Sequence, residues 1–105
     1  MTNWYDELKD IDALTPIMGI AVYSDNQNRD RYSRNKIDIL FNSLEEAKEY
    51  LDYEFDSGYG GSEGPWFTAW TKDRVYFPCT YDGSEWISNV PRNPCEESTS
   101  HIGGE

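Results

Sequence analysis

The 105-residue sequence is poor in cysteine and histidine and has no long hydrophobic run. Two cysteines are too few for a small scaffold held together by disulfides, so we expect Cys79 and Cys95 to be free thiols and Cys79 to lie in the core. The longest apolar run, residues 17–23, is much shorter than the roughly twenty residues that span a bilayer. The first ten residues are acidic where a signal peptide is basic. These features predict a cytoplasmic protein without a membrane segment.

The sequence also lacks the residue patterns that catalysis, metal binding or cofactor binding require. A structural zinc site takes about four Cys or His ligands, whereas this chain has two cysteines and the single histidine His101. The glycine-rich stretch 58–64 follows a predicted helix and lacks the Lys-Ser/Thr ending of a phosphate-binding loop. We therefore expect no cofactor, no bound metal and no enzymatic activity.

Negative charge dominates the composition. Twenty Asp and Glu residues stand against nine Lys and Arg residues, which gives a net charge of −11. This charge opposes direct binding to nucleic acid or to an anionic membrane. The basic residues Arg29, Arg31, Arg34 and Lys36 lie close together in a polar segment that we expect to be a solvated loop. Contact of this loop with phosphate, with the protein's own acidic face, or with a second copy in a head-to-tail homodimer stays open.

The spacing of apolar residues predicts the order of helices and strands. Apolar residues three and four positions apart predict a helix over residues 4–14, which Pro16 ends. Short apolar runs predict five strands, at residues 17–23, 37–41, 66–70, 75–81 and 85–90. The first two strands are expected to form a hairpin and the last three a meander, with Asp82-Gly83 as its second turn. Pro78 cannot donate to a strand ladder, so it predicts an edge position or a bulge.

The most specific local signal is a capping box at Ser43 and Glu46, which predicts the start of a second helix. Its apolar face continues to Phe55, and Gly58 stands where a left-handed C-cap is expected. Its outer face is acidic. Like charges one helical turn apart cost a few tenths of a kcal/mol per pair. The acidic face is therefore either a binding surface or simply a solvated one.

The predicted fold is a single α+β domain over residues 1–94, with an antiparallel sheet of about five strands. The acidic amphipathic helix packs on this sheet, a short helix precedes it, and residues 95–105 form a flexible polar tail. Alternation places Val75, Phe77, Cys79 and Tyr81 on one face of their strand. We expect the aromatic residues of the meander to fill the core. A sugar-stacking platform is the open alternative for five of them, Trp66, Trp70, Tyr76, Tyr81 and Trp86.

In size, in charge and in the lack of catalytic motifs, the chain resembles the small acidic proteins that phages and mobile elements make against host defence. This class includes anti-CRISPR, anti-restriction and DNA-mimic proteins, and its members share no common motif. The resemblance implies a non-enzymatic inhibitor that blocks a basic, nucleic-acid-binding host protein. The residues expected to bind this partner are the acidic side chains of the second helix and two aromatic anchors, namely Glu45, Glu46, Glu49, Asp52, Tyr53, Glu54, Asp56 and Tyr59. An immunity protein against a nuclease toxin and an accessory or assembly subunit stay open as alternatives.

Overall fold

The computed structural model describes residues 2–23, 38–55, 64–81 and 84–101 of the chain. Its elements are helix α1 (Trp4–Leu14), strands β1 (Gly19–Tyr23) and β2 (Asp38–Phe41), a 3-10 turn (Glu45–Ala47) that runs into helix α2 (Lys48–Leu51), and strands β3 (Phe67–Trp70), β4 (Arg74–Tyr81) and β5 (Ser84–Pro91). The α+β class with a five-stranded sheet and an N-terminal helix is confirmed. The predicted basic loop, the cap at Gly58 and the turn at Asp82-Gly83 lie outside the described residues.

All neighbouring strands are antiparallel, in the order β2-β1-β3-β4-β5. The predicted hairpin of β1 with β2 and the predicted meander of β3, β4 and β5 are both confirmed. Ile20 of β1 pairs with Phe41 of β2 on one side and with Ala69 of β3 on the other, and its side chain is fully buried. Strand β1 is therefore flanked by a strand on each side.

Helix α1 has the bounds that the apolar spacing predicts, and both of its ends are capped. The side chain of Asn3 accepts a hydrogen bond from the Asp6 amide at 3.2 Å, which satisfies one of the free amides of the first turn. At the other end, the amide of Thr15 donates to the carbonyl of Ile11 at 2.9 Å, and beyond the helix the Asp12 carboxylate accepts from the amide of Ile17 at 2.8 Å. This contact turns the chain from α1 toward β1. Trp4 and Leu8 of α1 are completely buried.

The second helix is shorter than predicted. It starts near the capping box at Ser43 but ends at Leu51, so the expected continuation to Phe55 is wrong. Phe55 instead pairs with Thr2 in an isolated antiparallel bridge, with two backbone hydrogen bonds of 2.9 Å. Its ring packs edge-on against Trp4, with the ring centroids 4.9 Å apart. Burial in this tertiary contact outweighs the local preference for helix.

Both helical segments pack on the same face of the sheet, which we call the covered face. Leu8, Leu44 and Leu51 from the helical side join Ile20, Val22, Phe67 and Ala69 from the sheet in one buried cluster. Tyr76 and Ile87 lie partly buried against this cluster. The core thus lies between α1, α2 and strands β1 to β4.

Pro78 occupies an edge position, which is one of the two positions that the sequence predicts for it. Strand β3 pairs with β4 at Val75 and Tyr76 only, so within the described residues Pro78 has a paired strand on one side alone, that of β5. This is the edge environment that a proline requires.

Residues 92–101 have no regular structure, yet Glu97 receives two hydrogen bonds from the Arg74 guanidinium at 3.0 and 2.9 Å. Part of the segment predicted as a tail is therefore held against β4.

Candidate functional site

The two helical segments form a strongly negative surface, which we call the acidic layer (residues 3–15 and 44–54). It holds nine carboxylates and two lysines, and so carries more than half of the net charge of −11. The nine carboxylates are Asp6, Glu7, Asp10, Asp12, Glu45, Glu46, Glu49, Asp52 and Glu54. The acidic surface therefore extends beyond the second helix, to which the sequence pattern had assigned it.

Tyr5 lies at the seam where α1 meets the 3-10 turn and α2. Its hydroxyl donates a 2.6 Å hydrogen bond to the Glu45 carboxylate. The ammonium groups of Lys9 and Lys48 stand 5.4 and 5.5 Å from the centre of its ring, within the range of cation–π attraction. Both lysines of the acidic layer therefore lie at this seam.

The contact with Glu45 also changes the titration of Tyr5. Hydrogen bonding to the carboxylate, followed by burial and the charge of the same carboxylate, raises the pKa of Tyr5 to about 12. Each of these causes favours the neutral phenol over the phenolate. The seam is thus a local structure in which a carboxylate, a phenol and two ammonium groups are matched to each other.

Glu46 and Asp52, which the sequence predicts to bind a partner, also stabilise the fold. The Glu46 carboxylate accepts from the amide of Asn42 at 2.9 Å, while the Ser43 hydroxyl accepts from the amide of Glu46 at 3.3 Å. This is the predicted capping box, shifted by one residue on the carboxylate side. The Asp52 carboxylate accepts from the side chain of Asn3 at 3.0 Å and so ties α2 to the start of α1.

The remaining predicted binding residues differ in their placement. Glu49 and Glu54 are exposed and their carboxylates have no hydrogen bond or ion pair within the described residues. Tyr53 is half-buried beyond the end of α2. Asp56 and Tyr59 lie outside the described residues. The structure therefore gathers Glu45, Glu46, Glu49 and Asp52 on one short segment and places Glu54 after it.

Helix α1 contributes acidic residues that were not predicted to bind. Asp6, Glu7 and Asp10 are exposed, and no carboxylate of the three pairs with a cation in the described residues. Partial burial of the Glu7 carboxyl, followed by the neighbouring charge of Asp10, raises the pKa of Glu7. The spacing of Asp6 and Asp10, one helical turn apart, is a sequence signal for this surface. The denser charge of residues 45–56 had drawn the prediction to the second helix alone.

The opposite face of the sheet carries no helix among the described elements, and we call it the bare face. Its outward positions follow from the register: Asp38 and Leu40 of β2, Gly19, Ala21 and Tyr23 of β1, Thr68 and Trp70 of β3, Val75, Phe77, Cys79 and Tyr81 of β4, and Ser84, Trp86, Ser88 and Val90 of β5. Of these strand positions, Asp38 alone is charged at neutral pH. Apart from Asp38, Thr68, Ser84 and Ser88, the outward residues are apolar or aromatic, and Tyr23 and Cys79 among them are buried.

The bare face and its neighbourhood carry part of the predicted aromatic platform. Trp70, Tyr81 and Trp86 lie on this face, and Trp86 and Tyr81 are 37% and 59% exposed. Tyr76 lies on the covered face, so the five aromatic residues do not share one surface. Core filling is thus right for Tyr76, whereas Tyr81 and Trp86 are exposed.

Two depressions lie near the strand ends. One, of about 140 Å³, is lined by Ala21, Tyr23, Asp38, Trp66, Phe67 and Thr68. The other, of about 270 Å³, lies where β3 and β4 separate beside Trp66, Cys79 and Glu85.

Burial raises the pKa of the Cys79 thiol, so this sulfur is kept in its unreactive protonated form. Cys79 and Cys95 are both free, and Cys79 is buried, as predicted.

Comparison of the chain with models of protein families, with curated proteins and with solved structures found no match. Within residues 2–23, 38–55, 64–81 and 84–101, no helix is long and apolar enough to cross a membrane. The same residues contain no group of three or more His, Cys, Asp or Glu side chains arranged to hold a metal ion.

Proposed function

We propose that the protein is a non-enzymatic inhibitor that binds a basic, nucleic-acid-binding protein through its acidic layer. One observation supports this proposal most directly: carboxylates from two separate segments of the chain lie side by side, and they outnumber the two lysines beside them, which stand over the Tyr5 ring. A phage origin and action in the host cytoplasm belong to the same proposal.

The charges that would meet a partner are those without a contact inside the protein. Asp6, Asp10 and Glu49 are exposed carboxylates with no ion pair among the described residues. Nucleic-acid-binding proteins present arrays of Lys and Arg that contact phosphates. An array of carboxylates presents to such a surface the same sign of charge as phosphates do, and complementary charge steers association and sets orientation.

The roles of Glu45 and Asp52 change how this proposal is tested. Reversing their charge to Lys would break the bonds to Tyr5 and Asn3 and so disturb the fold as well as the surface. Asp10→Lys with Glu49→Lys avoids this problem, because neither side chain has a partner to lose within the described residues. Asp73→Lys with Glu96→Lys is the matched control, since both residues are exposed, lie outside the acidic layer and give the same change in net charge.

The experiment is capture of a partner from bacterial lysate by the tagged full chain, elution with a salt gradient, and challenge with DNA or RNA. We expect a nucleic-acid-binding protein that polynucleotide displaces. Like charges placed across an interface cost several kcal/mol, so the acidic-layer pair should weaken binding at least about tenfold. The control pair should change affinity by about threefold or less, through the long-range field alone. Equal losses for the two pairs, or retention that ignores salt and polynucleotide, would contradict the proposal.

The identity of the captured protein separates the proposal from an immunity protein, its nearest alternative. An immunity protein would capture a nuclease toxin and abolish its activity at a one-to-one ratio. Capture of a host defence protein or complex that releases DNA or RNA when it binds this chain would favour the inhibitor. Both outcomes use the same acidic layer, so the charge-reversal pairs are informative in either case.

A further inference from the structure

We propose that two copies of this chain associate by antiparallel pairing of their β5 strands, which joins the two five-stranded sheets edge to edge. Strand β5 is an edge of its sheet, with β4 on one side and no strand among the described residues on the other. An edge strand presents backbone donors and acceptors to any extended chain that fits it. The proposal does not depend on the acidic layer.

The backbone groups of β5 that face away from β4 follow from the ladder between these two strands. The amide of Arg92 donates to the carbonyl of Asp73 at 2.9 Å, and these two residues continue the register of the ladder as a hydrogen-bonded pair. Bonded and non-bonded pairs alternate along an antiparallel ladder. Pro78, which has no amide proton, takes a non-bonded position accordingly. The positions of β5 whose backbone groups point outward are therefore Glu85, Ile87, Asn89 and Pro91.

At two of these positions the outward backbone groups have no partner among the described residues. The amides and carbonyls of Ile87 and Asn89 make no hydrogen bond outside the β4–β5 ladder there. From Trp86 to Val90 the strand has no charge, no proline and no bulge, which are the features that protect an edge from pairing. The other edge strand, β2, has four residues against eight in β5 and includes Asp38. Strand β5 is thus the edge suited to pairing.

A second copy of β5 matches the spacing of these outward groups. In one antiparallel register, Ile87 lies opposite Asn89 of the other copy, and the two-fold axis passes between the two Ser88 residues. Each Ile87–Asn89 pair then exchanges two backbone hydrogen bonds, so the dimer gains four. This register uses every outward amide of Ile87 and Asn89.

The same register pairs apolar side chains on the bare face. Trp86 of each copy lies opposite Val90 of the other in a non-bonded pair, in which the side chains are closest. Such pairs of an aromatic and a β-branched residue stabilise sheets. Trp86 is 37% exposed in the single chain, and this pair covers it. A slip by two residues in either direction places Trp86 opposite Ser88 or Arg92 instead, so symmetry supplies the apolar match twice in one register only.

The charges along β5 permit this pairing. Glu85 is the one charged residue of the strand, and the register places it opposite Pro91 rather than opposite another carboxylate. Like charges directly opposite each other would destabilise the pair. The net charge of −11 still repels a second copy, and one strand pair is a small contact. We therefore expect a weak dimer, with a dissociation constant on the order of 100 µM, that salt strengthens by screening.

Amide hydrogen exchange of the full chain, followed by NMR at about 20 µM and about 1 mM, tests the proposal residue by residue. The amides of Trp86, Ser88 and Val90 bond to β4 and should be protected at both concentrations. The amides of Ile87 and Asn89 should exchange about threefold more slowly at the higher concentration, as the dimer forms. Sedimentation over the same range should show the mass rising from 12.2 kDa toward twice that value.

Two pairs of variants locate the contact. Ser88→Lys places two ammonium groups against each other at the two-fold axis and should raise the dissociation constant at least about tenfold. Ser98→Lys is its matched control, because Ser98 is exposed, lies outside β5 and gives the same change in net charge. Trp86→Ala should also weaken the dimer, whereas Leu40→Ala should not, because Leu40 is exposed on the same face but on the other edge strand.

The second pair keeps the proposal testable if Ser88→Lys fails to fold, which circular dichroism would show. A chain that stays at 12.2 kDa, with exchange at Ile87 and Asn89 that does not depend on concentration, would overturn the proposal. So would association that slows exchange elsewhere but not at these two amides, or that Ser98→Lys weakens as much as Ser88→Lys does. These outcomes leave the acidic layer untouched, since its test is binding to a basic partner, which salt weakens.

Discussion

The two sides of the sheet differ in what covers their apolar side chains and in how much charge they carry. On the covered face, apolar side chains are buried under helices whose outer surface is dense in carboxylates, and polar contacts such as Tyr5 to Glu45 tie the helices together. On the bare face, apolar and aromatic side chains such as Leu40 and Trp86 meet solvent directly, and charge is almost absent. Within the described residues, charge is therefore distributed unevenly: the acidic layer holds nine carboxylates, whereas Asp38 is the one charged outward strand position of the bare face.

The largest expected difference between the faces is between two tryptophans. Trp4 is fully buried on the covered side, so Trp4→Ala should lower the free energy of unfolding by about 3–5 kcal/mol. Trp86→Ala on the bare face should cost about 1 kcal/mol. Urea denaturation measures both. Equal costs would break the comparison.

A conservative variant refines the role of Trp4. Its indole nitrogen is buried without a hydrogen-bond partner in the part of the chain that the structure describes. Trp4→Phe therefore removes volume but no hydrogen bond, and should cost at least about 1 kcal/mol less than Trp4→Ala. If the two variants are equally unstable, the indole nitrogen makes a contact that stabilises the fold.

Substitution of two glycines by alanine should change the free energy of unfolding by smaller amounts and in different directions. An added Cβ at Gly64 would lie 2.6 Å from the Trp4 indole nitrogen and 2.6 Å from the Phe55 ring, so Gly64→Ala should destabilise the protein by about 1–3 kcal/mol. An added Cβ at Gly19, on the bare face, meets nothing closer than 3.7 Å. Gly19→Ala should therefore be neutral or stabilise by about 0.4–1 kcal/mol, because it restricts the unfolded chain. Thermal or urea unfolding decides, and a loss of stability in Gly19→Ala would show that the bare face tolerates no added bulk there.

The sequence predicts the positions of the helices and strands well, but it predicts less well which side of the sheet the helices cover. The apolar spacing located α1 and all five strands to within about two residues, the usual precision for element ends. Alternation along β4 correctly separated Val75 and Phe77 from Tyr76. It could not show which side the helices cover, because the more apolar side of β4, with Val75, Phe77 and Cys79, is the side that faces away from the helices. That choice follows from β1, whose large residues Ile20 and Val22 point to the helices.

Contacts between distant residues account for most of what the sequence could not predict. The end of the second helix depends on Phe55, which pairs with Thr2 and packs on Trp4 rather than continuing the helix. The bond from Tyr5 to Glu45 joins residues forty positions apart. Charge density correctly marked residues 45–52 as acidic, but it gave no sign that α1 lies beside them and enlarges the same surface.

The smallest expected effect concerns the hydrogen bond from Tyr5 to Glu45. It tests whether this bond, or the negative charge of the acidic layer in general, keeps Tyr5 protonated. The pKa of Tyr5 is raised from 10.0 to about 12 in the folded protein, so its neutral form stabilises the fold. This contribution is fully present below pH 10 and is lost as the pH rises from 10 toward 12. The difference in unfolding free energy between the wild type and Tyr5→Phe should therefore depend on pH in that window and be constant below it.

Two isosteric variants separate the causes of this shift. Glu45→Gln removes the charged acceptor and should bring the Tyr5 titration, followed by ultraviolet difference absorbance against Tyr5→Phe, back toward pH 10. Glu49→Gln removes the same charge from the same helical segment without a contact to Tyr5, and should leave the titration almost unchanged. Equal shifts in the two variants would mean that the general field of the acidic layer, rather than the bond to Glu45, keeps Tyr5 protonated. In that case the seam would be held by packing, and Glu45 would be as free as Glu49 to meet a basic partner.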